Sequence, residues 1–452
     1  MPSILSFEPG KAYACRNLDE NARHRSSSGG IYPLLAGAVL RRGGVVYAVR
    51  YNSTDYHVEH CRVTEEAQLL PTIGTKYAAS VPDGIFAEAA QDLKDGKEVF
   101  FVGTPCQCAG LLAYLTLKRI SREHLLCMDF VCHGTPSGKI WQTYLSQAVP
   151  DQSQITGVNM RDKSAGWIEY SMRIDAGDAS VLSSRRSNPY LRVFVGNLDL
   201  RASCHECPFK GIHRPTDLTL GDYWGVKRFA PASYDPDGIS LLFVHSQAGA
   251  HEMDGIREKV RAEEAMLREA IESNLCITGS SKRPVKREKF LQMLREGVPF
   301  ETAAERALHK SVLERAQNRV QKLVGGGKRR TAAGAKAVMS ETPEQMTSRI
   351  ADIKEATDQM AGRNTGMEKA SENAAGAKKC TVPPVLYTRK EECSGCTACA
   401  QICPAGAIRL QEDEDGFVYP QIDAQKCVGC GSCIRVCPMR RPEGWQQRNP
   451  NV

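Results

Sequence analysis

Eight of the chain's 18 cysteines fall into two runs of one design. The first is Cys393-x-x-Cys396-x-x-Cys399-x-x-x-Cys403-Pro404, and the second is Cys427-x-x-Cys430-x-x-Cys433-x-x-x-Cys437-Pro438. Three thiolates on a tight loop and a fourth followed by proline is the spacing that holds 4Fe-4S clusters in pairs, with the fourth cysteine crossing to the other cluster. The spacing therefore assigns Cys393, Cys396, Cys399 and Cys437 to one cluster, and Cys427, Cys430, Cys433 and Cys403 to the other. The small residues between ligands (Ser394, Gly395, Thr397 and Ala398; Gly429, Gly431 and Ser432) let the backbone wrap a cluster and turn N–H groups toward sulfur. A zinc site takes four ligands in two knuckles, not eight in two like runs, and disulfides do not require this spacing. Such a module moves single electrons, so the rest of the chain is expected to hold what gives or receives them.

Further cysteines lie where a second redox group can be built. Residues 97–103 (KEVFFVG) read as a buried strand, which ends in Thr104-Pro105-Cys106-Gln107 before a helix. Residues 124–131 (HLLCMDFV) read the same way, ending in Cys132-His133-Gly134-Thr135-Pro136-Ser137 before another helix. Strand–loop–helix repeated at this interval predicts neighbouring parallel strands. Both loops then lie at the carboxyl edge of one sheet, where open α/β folds bind ligands, with Cys106 and Cys132 close in space. A third pair, Cys204-His205-Glu206-Cys207-Pro208, is a metal knuckle or a redox pair. On residues alone a third 4Fe-4S cluster, a zinc site and unrelated buried thiols all stay open for Cys106, Cys132, Cys204 and Cys207. Near the start, Ser26-Ser27-Ser28-Gly29-Gly30 precedes an apolar helix and then the strand VVYAVRY. A serine cap and a phosphate-binding helix start are both available there. No G-x-G-x-x-G follows a strand, so a Rossmann fingerprint is absent. Gly74-Thr75-Lys76-Tyr77 is a polar turn with one lysine.

The four segments GTPCQ, VCHGTPS, SCHECPFKG and DLTLGDYWG, in that order, resemble the β subunit of the coenzyme F420 hydrogenases and dehydrogenases, a family that includes hydroxymethyl-chlorophyll reductase. SSSGG and GTKY are similar to its amino-terminal half, and KRPVKREKF (282–290) to its carboxyl-terminal half, so the resemblance covers roughly residues 10–300. It implies a flavoprotein with FAD and one 4Fe-4S cluster, exchanging electrons between iron–sulfur centres and an organic hydride acceptor or donor. On that basis Cys106, Cys132, Cys204 and Cys207 become ligands of a third cluster, and Ser28, Gly29, Gly30, Lys76, Tyr77, Thr104 and Gln107 become flavin contacts. No catalytic residue is implied. Where such relatives carry a fused ferredoxin it commonly precedes the flavin domain, whereas here it follows, so docking has to be achieved through space.

The expected architecture is an α/β flavoprotein domain with a mainly parallel sheet (1–324), a flexible linker (325–379), a small α+β two-cluster ferredoxin domain (380–442) and a tail (443–452). The linker is rich in Ala, Gly, Lys and Glu, with one helix expected around Pro343–Met360. As a coil it spans roughly 40 Å, enough to reach its own flavin domain or a neighbour's. Residues 300–324 read as an amphipathic helix packed on the flavin domain. The formal charge is +7. Three cluster sites at roughly −2 each bring it to about +1. Basic residues are dispersed, so no nucleic-acid binding is expected. There is no basic-plus-apolar leader and no apolar run of membrane-spanning length, which places the chain in the cytoplasm with no membrane insertion. Expected partners are a redox protein or a small organic acceptor, with a homo-oligomer left open. Cys15, Cys61, Cys108, Cys127, Cys276 and Cys380 sit outside ligand spacing and read as free thiols. His133 and His205 read equally as donors to cluster sulfur and as structural residues. Tyr223 and Trp224, after Asp222, read as core by default, with the lining of a planar substrate pocket as the alternative. Glu412–Asp415 reads as an exposed turn.

Overall fold

Strands that are apolar on both faces end up inside a sheet covered on both sides. The computed structural model, which describes residues 6–309 and 383–440, builds such a sheet from nine strands: β1 (Ala12–Asn17), β2 (Val45–Tyr51), β3 (Val58–Val63), β4 (Ser80–Val81), β5 (Val99–Val102), β6 (Leu125–Phe130), β10 (Leu218–Asp222), β11 (Ser240–Val244) and β12 (Val260–Ala265). The order is β12-β1-β11-β10-β6-β5-β2-β3-β4. Its centre, β10-β6-β5-β2, is parallel, and β5 and β6 are direct parallel neighbours with Phe101 opposite Cys127. Toward the edges β11, β1 and β12 turn antiparallel, as does β3 against β2. Parallel pairing thus runs through the centre of the sheet and returns once at the edge, where β4 lies parallel to β3.

Alternation along each strand sorts the core. Phe101, Val99 and Tyr47 pack on one face beneath α3 (Ile85–Lys94) and α4 (Pro105–Lys118). Phe100, Val46 and Leu126 pack on the other beneath α2 (Ile31–Arg41), which follows the short α1 (Glu20–Arg25). A separate antiparallel sheet of β7 (Ile155–Asp162), β8 (Ser171–Ala176) and β9 (Ala179–Ser184) shares a core with α5 (Gly138–Ala148) and with the helices Arg287–Arg295 and Phe300–Leu308. Phe300, Ala303, Ala304 and Ala307 are the buried stripe of the last helix. The rest of the expected 300–324 helix, the linker, its expected helix and Cys380 lie outside the described residues.

The carboxyl-terminal part is a hairpin of β13 (Ile408–Glu412) and β14 (Val418–Ile422) with two short helices, Ala398–Gln401 and Ser432–Arg435. It belongs to the same compact unit as residues 6–308. Gln401 supplies what Gly84, ahead of α3, lacks: its Oε1 accepts from the Phe86 N–H at 2.8 Å, and its Nε2 donates to the Pro82 carbonyl at 2.6 Å. Ser137 donates to the Asp415 carbonyl at 2.5 Å, and Arg295 pairs with Asp415 at 2.8 Å. The Glu412–Asp415 turn is therefore part of the contact between the two parts. Among the described residues no helix is long and apolar enough to cross a membrane.

Candidate redox site

The loops after β5 and β6 leave the sheet at one edge. Thr104 and Gln107 close a reciprocal cap on α4, with Oγ1 of Thr104 accepting from the Gln107 N–H at 3.4 Å and Oε1 of Gln107 accepting from the Thr104 N–H at 2.9 Å. This box, with Pro105 at the first helical position, fixes Cys106 in the first turn. Cys132 sits on the loop between β6 and α5. Cys204 lies in the 3-10 turn Ala202–Glu206, and Cys207 follows it. The knuckle is laced to the Cys132 loop: the Arg201 N–H donates to the Thr135 carbonyl at 2.9 Å, and the Thr135 N–H donates to Cys204 Sγ at 3.3 Å. Cys106, Cys132, Cys204 and Cys207 lie within electrostatic reach of one another. Burial pushes the thiols of Cys106, Cys132 and Cys204 upward. A thiolate there calls for a cationic core beside it, since desolvation favours the neutral form. Among the described residues no three His, Cys, Asp or Glu side chains converge as a single-ion site requires.

In the carboxyl-terminal part, Cys437 of the second run lies with Cys393, Cys396 and Cys399 of the first. Cys403 lies with Cys430 and Cys433. Burial first, and the neighbouring sulfurs second, push Cys396 up to about 12. Cys430 is exposed, and its pKa is held below the usual thiol range by the Ser432 hydroxyl. Cys427 is half-buried, and its N–H donates to the Asp423 carbonyl at 3.0 Å. The group of Cys106 and the group of Cys396 meet through α4. Cys106 begins that helix, and one turn on Gly110 packs on Cys396, so that a Cβ at Gly110 would stand 3.2 Å from its sulfur. Cys106 and Cys396 are within electrostatic reach.

A cavity of about 540 Å³ opens at the same sheet edge and has Cys132 in its wall. Ser28, Gly30, Lys76, Tyr77, Thr104 and Gln107 line it. Gly29 does not. It packs beneath, where a Cβ would come within 2.4 Å of the Cys15 carbonyl. No serine caps α2. The cap residue is Gly30 at φ +77°, a left-handed conformation suited to glycine, and it leaves the first N–H groups of the helix without a side-chain partner. Ser28 instead donates to the Ile239 carbonyl at 2.9 Å, and Ser26 to the Ala22 carbonyl at 2.8 Å. The three protons of the Lys76 ammonium go to the carbonyls of Thr72, Ile73 and Gly74 at 3.0–3.2 Å. Desolvation lowers its pKa to about 7. Tyr77 stacks on Phe194 at 4.4 Å.

Several lining residues carry no motif. Arg161, on β7, has a side chain only 3% exposed; its Nη1 donates to Asp222 at 2.6 Å, while Nε and Nη2 are buried without a partner. Its guanidinium lies 5.2 Å from the Trp224 ring. Trp224 itself stacks on Trp167 at 5.0 Å and lines the cavity, whereas Tyr223 is core. Cys276 also lines it, with its sulfur 3.5 Å from His133 Nδ1. His205 is held by the Ser281 carbonyl at 2.9 Å, a structural contact. Arg161 and Cys276 escape sequence reading because they reach the cavity from elements distant in sequence.

These features define an iron–sulfur electron-transfer protein with a mixed α/β body. Residues 96–270 match the family described as the C terminus of the coenzyme F420 hydrogenase/dehydrogenase beta subunit, and residues 392–440 match the 4Fe-4S dicluster domain family. No curated protein matches the chain. Among solved structures, a chain of the xenon-derivatized F420-reducing NiFe hydrogenase complex from Methanosarcina barkeri is similar over 66% of this chain and 95% of its own, at 14% identity and a TM-score of 0.42.

Proposed function

We propose that the chain is an iron–sulfur flavoprotein oxidoreductase. In this reading Cys393, Cys396, Cys399 and Cys437 hold one cluster, Cys403, Cys427, Cys430 and Cys433 a second, and Cys106, Cys132, Cys204 and Cys207 a third. FAD occupies the cavity beside Cys132. When bound, the clusters carry single electrons, and the flavin joins that traffic to a two-electron hydride exchange with an organic acceptor or donor, F420-like or other. The observation that carries the reading is a run of neighbours: Cys132 is in the cavity wall and within electrostatic reach of Cys106, and Cys106 is within electrostatic reach of Cys396, which packs on Gly110 one turn along α4.

The chain's own residues suit these roles. The uncapped start of α2 offers backbone N–H groups to a phosphate, with Lys76 as a nearby positive charge. Arg161 offers two unpaired buried donors to a carbonyl or anionic group. The Tyr77–Phe194 and Trp224–Trp167 stacks give flat apolar surfaces that keep water from a planar ring. Thr104 and Gln107, whose polar atoms close the α4 cap, act by shaping the wall.

A second reading, an electron-transfer subunit serving a separate hydrogenase or dehydrogenase, is favoured by the exposure of Cys430 and by Val428, which is 47% exposed beside it. Iron, zinc and acid-released flavin are measured on anaerobically purified protein. About twelve irons and one FAD per chain are expected. About eight irons without flavin would overturn the proposal. Turnover of an organic acceptor by the pure, chemically reduced protein separates the enzyme from the subunit, which turns over nothing until its partner chain is added.

A further inference from the structure

Arg201 belongs to one cysteine group by its backbone and to another by its side chain. Its N–H donates to the Thr135 carbonyl at 2.9 Å, and its own carbonyl accepts from the Cys204 N–H at 2.9 Å. Its guanidinium, in contrast, reaches into the carboxyl-terminal part. Nε donates to the Cys393 carbonyl at 2.8 Å, and Nη2 donates to the Val418 carbonyl at 2.8 Å and points at Cys393 Sγ from 3.6 Å. Its flat face lies 4.1 Å from the Tyr419 ring. The other side rests on Gly395, where a Cβ would come within 2.9 Å of the guanidinium carbon; at φ +74° that position suits glycine in any case.

Arg201 is only 5% exposed, and among the described residues no carboxylate forms a salt bridge with it. An uncompensated buried cation is costly. What stands in place of a carboxylate is sulfur: Cys393 in direct contact, with Cys204 within electrostatic reach on the other side. A cluster with four thiolates carries net negative charge and supplies the missing counter-ion.

We infer that Arg201 is a fixed cation that raises the midpoint potential of the cluster held by Cys393, Cys396, Cys399 and Cys437, offsetting the lowering that burial imposes, and so keeps that cluster able to take an electron from either side. Hydrogen bonds to cluster sulfur and nearby charge are established levers on cluster potential. At the group that holds Cys430, the cation within electrostatic reach is Arg435, which is exposed to solvent and donates to Ser432 at 3.1 Å, so among the described residues no buried guanidinium touches sulfur there. The inference rests on the cluster assignment of the proposed function, within the part that matches the dicluster family.

The test is a redox titration of the full-length, cluster-loaded chain followed by electron paramagnetic resonance. The variants are Arg201→Gln, Arg201→Lys and, as a control, Arg295→Gln, which removes a cation and an ion pair from the same contact without touching sulfur. Arg201→Gln is expected to lower the midpoint of one dicluster signal and leave the other in place. Arg201→Lys is expected to give a smaller shift in the same direction, and Arg295→Gln none. If Arg201→Gln loses the cluster, the lysine variant carries the test alone. Unmoved potentials in a fully loaded Arg201 variant overturn the inference, as does an equal shift from Arg295→Gln, which would reduce Arg201 to a docking contact. An unsubstituted chain without dicluster signals overturns the cofactor reading itself.

Discussion

The two four-cysteine runs have the same spacing and opposite surroundings. Cys396, in the first, is 8% exposed and packs against Gly110 of α4. Cys430, at the matching place in the second, is exposed. The contrast extends to the residue two positions after the third cysteine of each run. In the first this is Gln401, which completes the start of α3. In the second it is Arg435, which is exposed and, among the described residues, donates to Ser432 within its own run. Like spacing therefore does not give like surroundings: the residues between the cysteines help decide which run packs on the α/β part and which keeps a cysteine at the surface.

The largest effect is expected from breaking the inward contact. Gly110→Leu forces a side chain into the space held by Phe86 and Cys396. Overpacking costs about 1–3 kcal/mol, a roughly 5- to 150-fold shift toward the undocked arrangement. Hydrogen exchange should rise at Phe86 and around Gln401, and electron delivery from the reduced carboxyl-terminal part should slow, while the iron of both runs is retained. Unchanged exchange would mean that the contact does not depend on this glycine.

A smaller effect separates the matching residues. Gln401→Ala strips the Phe86 N–H and the Pro82 carbonyl of a partner in a half-buried contact. The cost should be about 1–3 kcal/mol. Arg435→Ala, on the surface, should stay within about 0.5 kcal/mol. Denaturant unfolding of the loaded protein measures both. Equal costs would remove the asymmetry on which the comparison rests.

The sequence carried this asymmetry only in part. Cysteine spacing is a local signal, and so are the apolar strands ending in the Cys106 and Cys132 loops; their parallel pairing follows from strand–loop–helix order. Docking is different. Arg201 meets Cys393, and Gly110 meets Cys396, across a sequence gap that includes the linker, and no periodicity reports such a meeting. The serine run misleads for a local reason: a turn at positive φ gives the cap of α2 to Gly30, and the serines bond elsewhere. The antiparallel flanks of the sheet were equally hidden, because a short apolar strand does not announce the direction of its neighbour.

The cavity extends the comparison to a second cation, of another kind. A guanidinium does not lose its proton in proteins, whereas Lys76 is pushed down to about 7 by desolvation. The ordinary lysine value in an unfolded chain is about 10.4. Below about 7 lysine is protonated in both states, and burying the charge costs stability in full. Between the two values the unfolded chain holds the proton and the folded one does not, so stability should rise with pH across that window. Ligand binding should run the other way. If a flavin phosphate lies near Lys76, its affinity should fall as pH rises past about 7, by about 1 kcal/mol or roughly fivefold, because the attraction vanishes with the proton. Flavin titration by fluorescence across that range, on the unsubstituted chain and on Lys76→Met and Lys76→Arg, resolves it. The methionine variant should bind weakly and without pH dependence, and the arginine variant should keep its affinity throughout. A flat profile for the unsubstituted chain would move the phosphate away from Lys76 and leave the start of α2 to hold it alone.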